Sequence, residues 1–157
     1  MQLEYFSLID RILDFDRTAR KIRAGGNVPT ESPIFEGHFP GYPLMPGVLL
    51  LEMMAQASGW LIIGATGFTR MPFLAAVKHA KLRSFVTPGM ALVVDAGLVH
   101  EGSGFAVASA QIRSENKLAC DCEITFRLVE FPTPHFRAIM LERAVVIGLP
   151  LERVTDG

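Results

Sequence analysis

A histidine in a rigid loop and a glutamate in an apolar helix are the two side chains of this chain whose types and spacing best suit acid–base chemistry. His38 lies inside ESPIFEGHFPGYPLMPG (residues 31–47), where Pro33, Pro40, Pro43 and Pro46 are interspersed with Gly37, Gly41 and Gly47. Regular structure cannot persist through such a run, so a loop of fixed shape is expected, one able to hold an imidazole in place. Histidine is also the side chain whose ordinary pKa, about 6.5, best suits taking a proton near neutral pH. Isolated histidines are more often structural or exposed than catalytic; the setting of His38 sets it apart. Fourteen residues later comes Glu52, set among Leu49, Leu50, Leu51, Met53 and Met54. Glutamate is seldom fully buried without a partner. Either it makes a structural hydrogen bond to a loop amide, or burial favours its protonated form and makes it a general acid. Paired with a histidine, such an acid fits proton removal at one carbon and proton delivery to a leaving hydroxyl at the next.

Gly47 falls in the first turn of the helix that carries Glu52, where backbone amides are unpaired and the helix dipole is positive. An amide placed there can polarise a carbonyl and stabilise the enolate-like charge that develops during α-proton abstraction. The alternative is that Gly47 simply permits the turn, and the residue pattern does not separate the two.

The elements that must position these groups are legible to different degrees. Pro46 suits the first turn of a helix running to about Ala65, because its missing amide proton is one a helix start leaves unpaired. That helix, GVLLLEMMAQASGWLIIGA, is apolar nearly all round, with Glu52 and Gln56 four apart on one stripe, and reads as buried. A membrane span has the same length, but Glu52 near its middle would be costly in lipid and no Lys/Arg clusters flank it. Strands are expected at Phe73–Phe85, Ala91–His100, Phe105–Arg113 and Leu118–Val129. In the last, Cys120, Cys122, Ile124, Phe126 and Leu128 alternate with Asp121, Glu123, Thr125 and Arg127, the period of a sheet with one buried face. The short links EGSG and SENK suggest an antiparallel meander. Residues 4–13 suit a short amphipathic helix acting as a packing lid, residues 11–28 a hairpin, and residues 137–148 a last helix without evident chemistry. The natural arrangement is a two-layer α+β domain, its sheet curled round the helix.

The 157 residues are one domain's worth, enough to bury a core without disulfides or metals. A net charge of -1 with a fifth of the residues charged argues against disorder and against a general affinity for nucleic acid. Cys120 and Cys122 are too close in sequence for a normal bridge and lack the second pair of a zinc site, so they read as reduced core thiols. The N-terminus does not read as a secretory signal, and a cytoplasmic location follows by default.

GHFPGYPLMPGVLLLEMMAQ (residues 37–56) resembles the signature of FabZ-type 3-hydroxyacyl-(acyl carrier protein) dehydratases, and AAVKHAKLRSFVTPGMAL resembles a later stretch of them more loosely. With the strand pattern, the similarity spans roughly residues 5–130. It implies a hot-dog fold, an antiparallel sheet wrapped round a long buried central helix. It also implies a homodimer joining two sheets edge to edge, often assembled as a trimer of such dimers. His38 then matches the catalytic histidine and Glu52 the catalytic glutamate, each site taking its glutamate from the opposite subunit. Gly47 matches the glycine whose amide meets the thioester carbonyl, with Phe39 and Phe73 beside the substrate. The implied reaction is a hydro-lyase step without metal or organic cofactor, turning a (3R)-hydroxyacyl thioester into a trans-2-enoyl thioester. The substrate arrives on the phosphopantetheine arm of an acyl carrier protein. Glu rather than Asp at position 52 argues for dehydration without isomerisation.

Some positions depart from the pattern. Leu82-Arg83-Ser84-Phe85 replaces an aromatic–basic–proline run, and Phe73 or Leu74 stands where a tyrosine often gates the acyl tunnel. LEYFSLIDRI, MPFLAAV and the C-terminal extension (residues 132–157 of a single 1–157 domain) are similar to a subgroup acting on very-long-chain acyl groups of lipid A. Lys78, Lys81, Arg83 and Arg70 would supply a basic patch for an acidic carrier, or merely a solvated strand face. His79, His100 and His135 read as exposed or structural. Two rival functions are a thioesterase on the same fold and a non-catalytic acyl-binding protein.

Overall fold

The computed structural model describes residues 1–155. The chain opens with one 3-10 turn at Leu3–Tyr5, then forms a hairpin of β1 (Arg11–Asp16) and β2 (Lys21–Asn27). The hairpin matches expectation; the amphipathic helix over residues 4–13 does not form. Phe6 takes a left-handed conformation (φ 52°) that stops the turn, and the apolar residues then divide, Leu3, Leu8 and Ile9 buried, Tyr5 and Phe6 exposed. One helical face could not satisfy both sets.

A short helix, α1 (Pro33–Gly37), interrupts the segment expected to be irregular throughout. Ser32 explains it: its hydroxyl accepts the Ile34 N–H as an N-cap, and Pro33 at the first helical position supplies a fitting φ. The same hydroxyl donates to Glu4 at 2.6 Å, and that bond holds the Glu4 carboxyl below the ordinary carboxylate range. The central helix α2 (Gly47–Ala65) follows, with Pro46 as its cap residue. It is long and apolar enough to cross a membrane, yet most of its apolar stretch is buried against the sheet.

Four longer strands complete the sheet: β3 (Met71–Leu82), β4 (Ala91–Gly102), β5 (Phe105–Ser114) and β6 (Lys117–Val129). All pairings are antiparallel and the spatial order is β1-β2-β4-β5-β6-β3. The expected meander therefore holds only for β4-β5-β6. β3 pairs with the far side of β6 and becomes an edge strand, and α2, which precedes it, packs across the sheet against β2, β3, β4 and β5. Along β6 the alternation is as read from sequence: Cys120, Cys122, Ile124 and Phe126 are buried. Small inward side chains, Ala96, Ala106, Ala108 and Ala110, leave room for the helix to lie close, and Met53, Met54, Leu61 and Ile62 fill that space. Gly64 continues the same logic, since a Cβ there would meet the Phe15 ring at 2.7 Å.

Beyond the sheet, α3 (Pro134–Ile147) is capped by Thr133 at one end and by left-handed Gly148 (φ 78°) at the other. Its Arg137 donates to the Phe68 carbonyl at 2.9 Å. A final turn, α4 (Glu152–Thr155), carries Arg153, which donates to the Phe15 carbonyl at 3.3 Å.

Candidate active site

His38 ends α1, and its ring is fixed by the loop that follows. Its Nδ1 lies 2.9 Å from the Leu44 carbonyl, while the Leu44 N–H donates back to the His38 carbonyl at 2.9 Å. A carbonyl can only accept, so Nδ1 carries the proton and Nε2 keeps its lone pair in the neutral ring. The Phe39 ring stacks on the imidazole at 4.1 Å between centroids and limits its tilt. Together these contacts give a histidine one orientation and one basic nitrogen.

That histidine lines a cavity of about 630 Å³ bounded also by Phe39, Gly47, Leu82, Phe85 and Lys117. Gly47 is the first residue of α2, and its N–H finds no acceptor among the described residues, as expected of a helix start. A Cβ at Gly47 would collide with the Leu82 side chain, so the glycine keeps the backbone of the helix start accessible from the cavity. One cavity thus combines a basic nitrogen and a free amide donor.

Glu52 lies elsewhere. It is half-buried, not enclosed as its apolar neighbours suggest, because its stripe of α2 faces a second cavity, of about 590 Å³. That cavity is lined by Gln56, Trp60, Ile63 and Leu74 and by Met140 and Arg143 of α3. Glu52 Oε1 accepts a hydrogen bond from Gln56 Nε2 at 3.1 Å. Within one chain His38 and Glu52 line different cavities, so the fold of a single copy does not bring them together.

Phe73 is 47 % exposed on the edge strand β3 and lines neither cavity; its neighbour Leu74 lines the one at Glu52. The expected basic patch is largely neutralised, since Arg83 pairs with Asp121, Arg70 with Glu130 at 3.4 Å, and Lys78 lies opposite Glu123 in the β3–β6 register. His79, His100 and His135 are exposed. Cys120 and Cys122 are buried free thiols, pushed by burial up to about 11 and about 12, too protonated to act as nucleophiles. Among the described residues no cluster of His, Cys, Asp and Glu has the makings of a metal site. Sequence reading missed Arg143 and Met140, because α3 carries no motif and only the folded chain brings it to the cavity.

Residues 1–123 match the FabA-like domain. The chain belongs to the FabA-like family. Relatives of this FabA-like chain include a 3-hydroxyacyl-[acyl-carrier-protein] dehydratase FabZ of Chlamydia pneumoniae, 39 % identical over 128 residues, covering 80 % of this chain and 84 % of that protein. The enzyme of the same name from Vibrio parahaemolyticus is 38 % identical over 129 residues, covering 80 % and 85 %. A thioesterase from Haemophilus influenzae shares the fold of the FabA-like chain, with a TM-score of 0.60 at 18 % identity over 79 % of this chain and 80 % of that one.

Proposed function

We propose that the protein removes water from a (3R)-hydroxyacyl thioester carried by an acyl carrier protein, giving the trans-2-enoyl thioester. The observation that carries this reading is the His38 cavity: a neutral imidazole whose Nε2 is free to accept, beside a helix-start N–H with no acceptor. In the proposed step Nε2 takes the α-proton, and the charge that moves onto the thioester oxygen is met by the Gly47 N–H. The bond from the β-carbon to its hydroxyl then breaks as protonated Glu52 delivers a proton, and water leaves. Proton exchange with solvent returns His38 to neutral and Glu52 to its acid form. Phe39 and Phe73 are the proposed contacts with the acyl chain, joined by Leu74, which lines the Glu52 cavity.

Because His38 and Glu52 line separate cavities of one copy, the reading requires two copies, each lending its Glu52 to the other's His38. The free edge of β3 supports this assembly, with Phe73, Leu74, Val77 and Leu82 all exposed on that strand. Trimers of such dimers, a cytoplasmic setting, and very-long-chain acyl substrates of lipid A belong to the same reading; the last rests on the N-terminal and C-terminal resemblance alone. Likeness to thioesterases at under 20 % identity concerns the fold and lends hydrolysis no support.

Incubation with carriers loaded with 3-hydroxyacyl chains of several lengths, read by mass spectrometry, tests the reaction. Loss of one water from the intact carrier is expected. Release of free acid would point to hydrolysis instead, and an unchanged carrier to a binding protein.

A further inference from the structure

Gln56 sits one helical turn beyond Glu52 and engages three groups at once. Its Oε1 accepts the Leu8 N–H at 3.1 Å, and its Nε2 donates both to the Phe6 carbonyl and, at 3.1 Å, to Glu52 Oε1. A backbone N–H can only donate and a backbone carbonyl can only accept, so this amide cannot be turned round. Its N–H edge is obliged to meet Glu52. The segment imposing that orientation is gripped from its other side by α3, where Arg143 Nη2 donates to Ser7 Oγ and to the Ile9 carbonyl at 3.5 Å. Gln56, Arg143 and Glu52 all line one cavity, and α3 lies beyond residues 1–123 that match the family.

We infer that Gln56 is a positioning residue that fixes the rotation of the Glu52 carboxyl, and that Arg143 acts one step further out by bracing the Phe6–Ile9 segment against which Gln56 is locked. This rests on the reading of Glu52 as the acid. A carboxyl torsion is otherwise broad and nearly two-fold, so an untethered Glu52 would offer its proton in several directions. With Oε1 occupied by an N–H donor, the proton resides on Oε2, the oxygen Gln56 does not touch. The C-terminal helix, which shows no chemistry in its sequence, thereby acquires a role at a distance from the reacting atoms.

Full-length protein and its Gln56→Met, Arg143→Met and double variants test this by kcat and KM on a 3-hydroxyacyl carrier. Gln56→Met is expected to lower kcat about tenfold while KM moves less than about threefold, as for a group that orients an acid without binding substrate. Arg143→Met should lower kcat about threefold, and the double variant should be no worse than Gln56→Met alone, because both act through one path. Circular dichroism and melting confirm the fold of each variant; Gln56→Glu, which keeps an acceptor for the Leu8 N–H but loses the donors to the Phe6 carbonyl and Glu52, should also lose turnover. Wild-type kcat in folded Gln56→Met or Gln56→Glu, or multiplicative losses in the double variant, would overturn the inference.

A second readout is independent of turnover. With ¹³C-labelled glutamate carboxyls, the Glu52 signal, identified by its loss in Glu52→Gln, should shift in Gln56→Met and in Arg143→Met. Should the wild type dehydrate nothing, the proposed function fails while this measurement still decides the hydrogen-bond path; an unmoved Glu52 signal refutes it.

Discussion

At the scale of single residues, His38 and Gly47 carry unequal weight. His38→Ala removes the base and should cost about 10²–10⁴ in kcat, the usual contribution of a positioned proton acceptor, with little change in melting temperature because the half-buried ring anchors only the Leu44 loop. Gly47→Ala is a subtler test. Its new methyl meets only the exposed end of Leu82, which can turn aside, so circular dichroism and melting should stay near wild type while turnover falls as the methyl crowds the amide. As candidates, His38, Glu52 and Gly47 were legible in the sequence because a Gly/Pro loop and an acid inside an apolar helix are both locally improbable, whereas Phe39 and Phe73 came only with the family resemblance. What surrounds them was not: the Leu44 carbonyl that selects the tautomer and the Arg143 that bonds to Ser7 and Ile9 are ordinary residues made relevant by tertiary contact.

At the scale of elements, α2 was the easiest to foresee, since a 19-residue apolar stretch after Pro46 admits few other readings. Its interior contains one testable imperfection. Ser58 is fully buried and its hydroxyl finds no partner among the described residues. Ser58→Ala should therefore leave stability unchanged or raise it by about 1 kcal/mol, read by chemical denaturation, because an unsatisfied buried hydroxyl is removed. Gly64→Ala goes the other way: a methyl driven into the Phe15 ring should cost about 1–3 kcal/mol by the same measurement. The strand pattern of β4, β5 and β6 was clear from alternation, whereas the edge position of β3 was not. Nothing in a strand's own period says which neighbour it will choose, and here the choice followed from α2, which links β2 to β3 and carries the chain across the sheet to the far side of β6. The N-terminal segment misled for a related reason, as its apolar residues pack singly against different elements without forming a stripe.

At the scale of the whole molecule, the core and the assembly each give a measurable expectation. Cys120 and Cys122 are pushed up to about 11 and about 12 from an ordinary thiol near 9.0. Between those values the unfolded chain loses thiol protons that the folded chain retains, so stability is intact below about pH 9 and declines as pH rises toward 11–12. Replacing both cysteines with alanine should flatten that alkaline decline in pH-dependent denaturation, and native protein should resist thiol alkylation at pH 8. The overall α+β architecture was readable from pattern, whereas a site shared between two copies was implied only by the family resemblance, because the residue pattern of one copy cannot show what a second copy supplies.

Each proposed site combines His38 of one copy with Glu52 of another, and mixing two inactive variants is the sharpest test of that sharing. After subunit exchange between His38→Ala and Glu52→Gln proteins, half the dimers are mixed and each carries one intact site of two, so about a quarter of wild-type turnover should return. Recovery to that level is expected; a mixture as inactive as its separate components, despite demonstrated exchange, would rule out a site shared between copies.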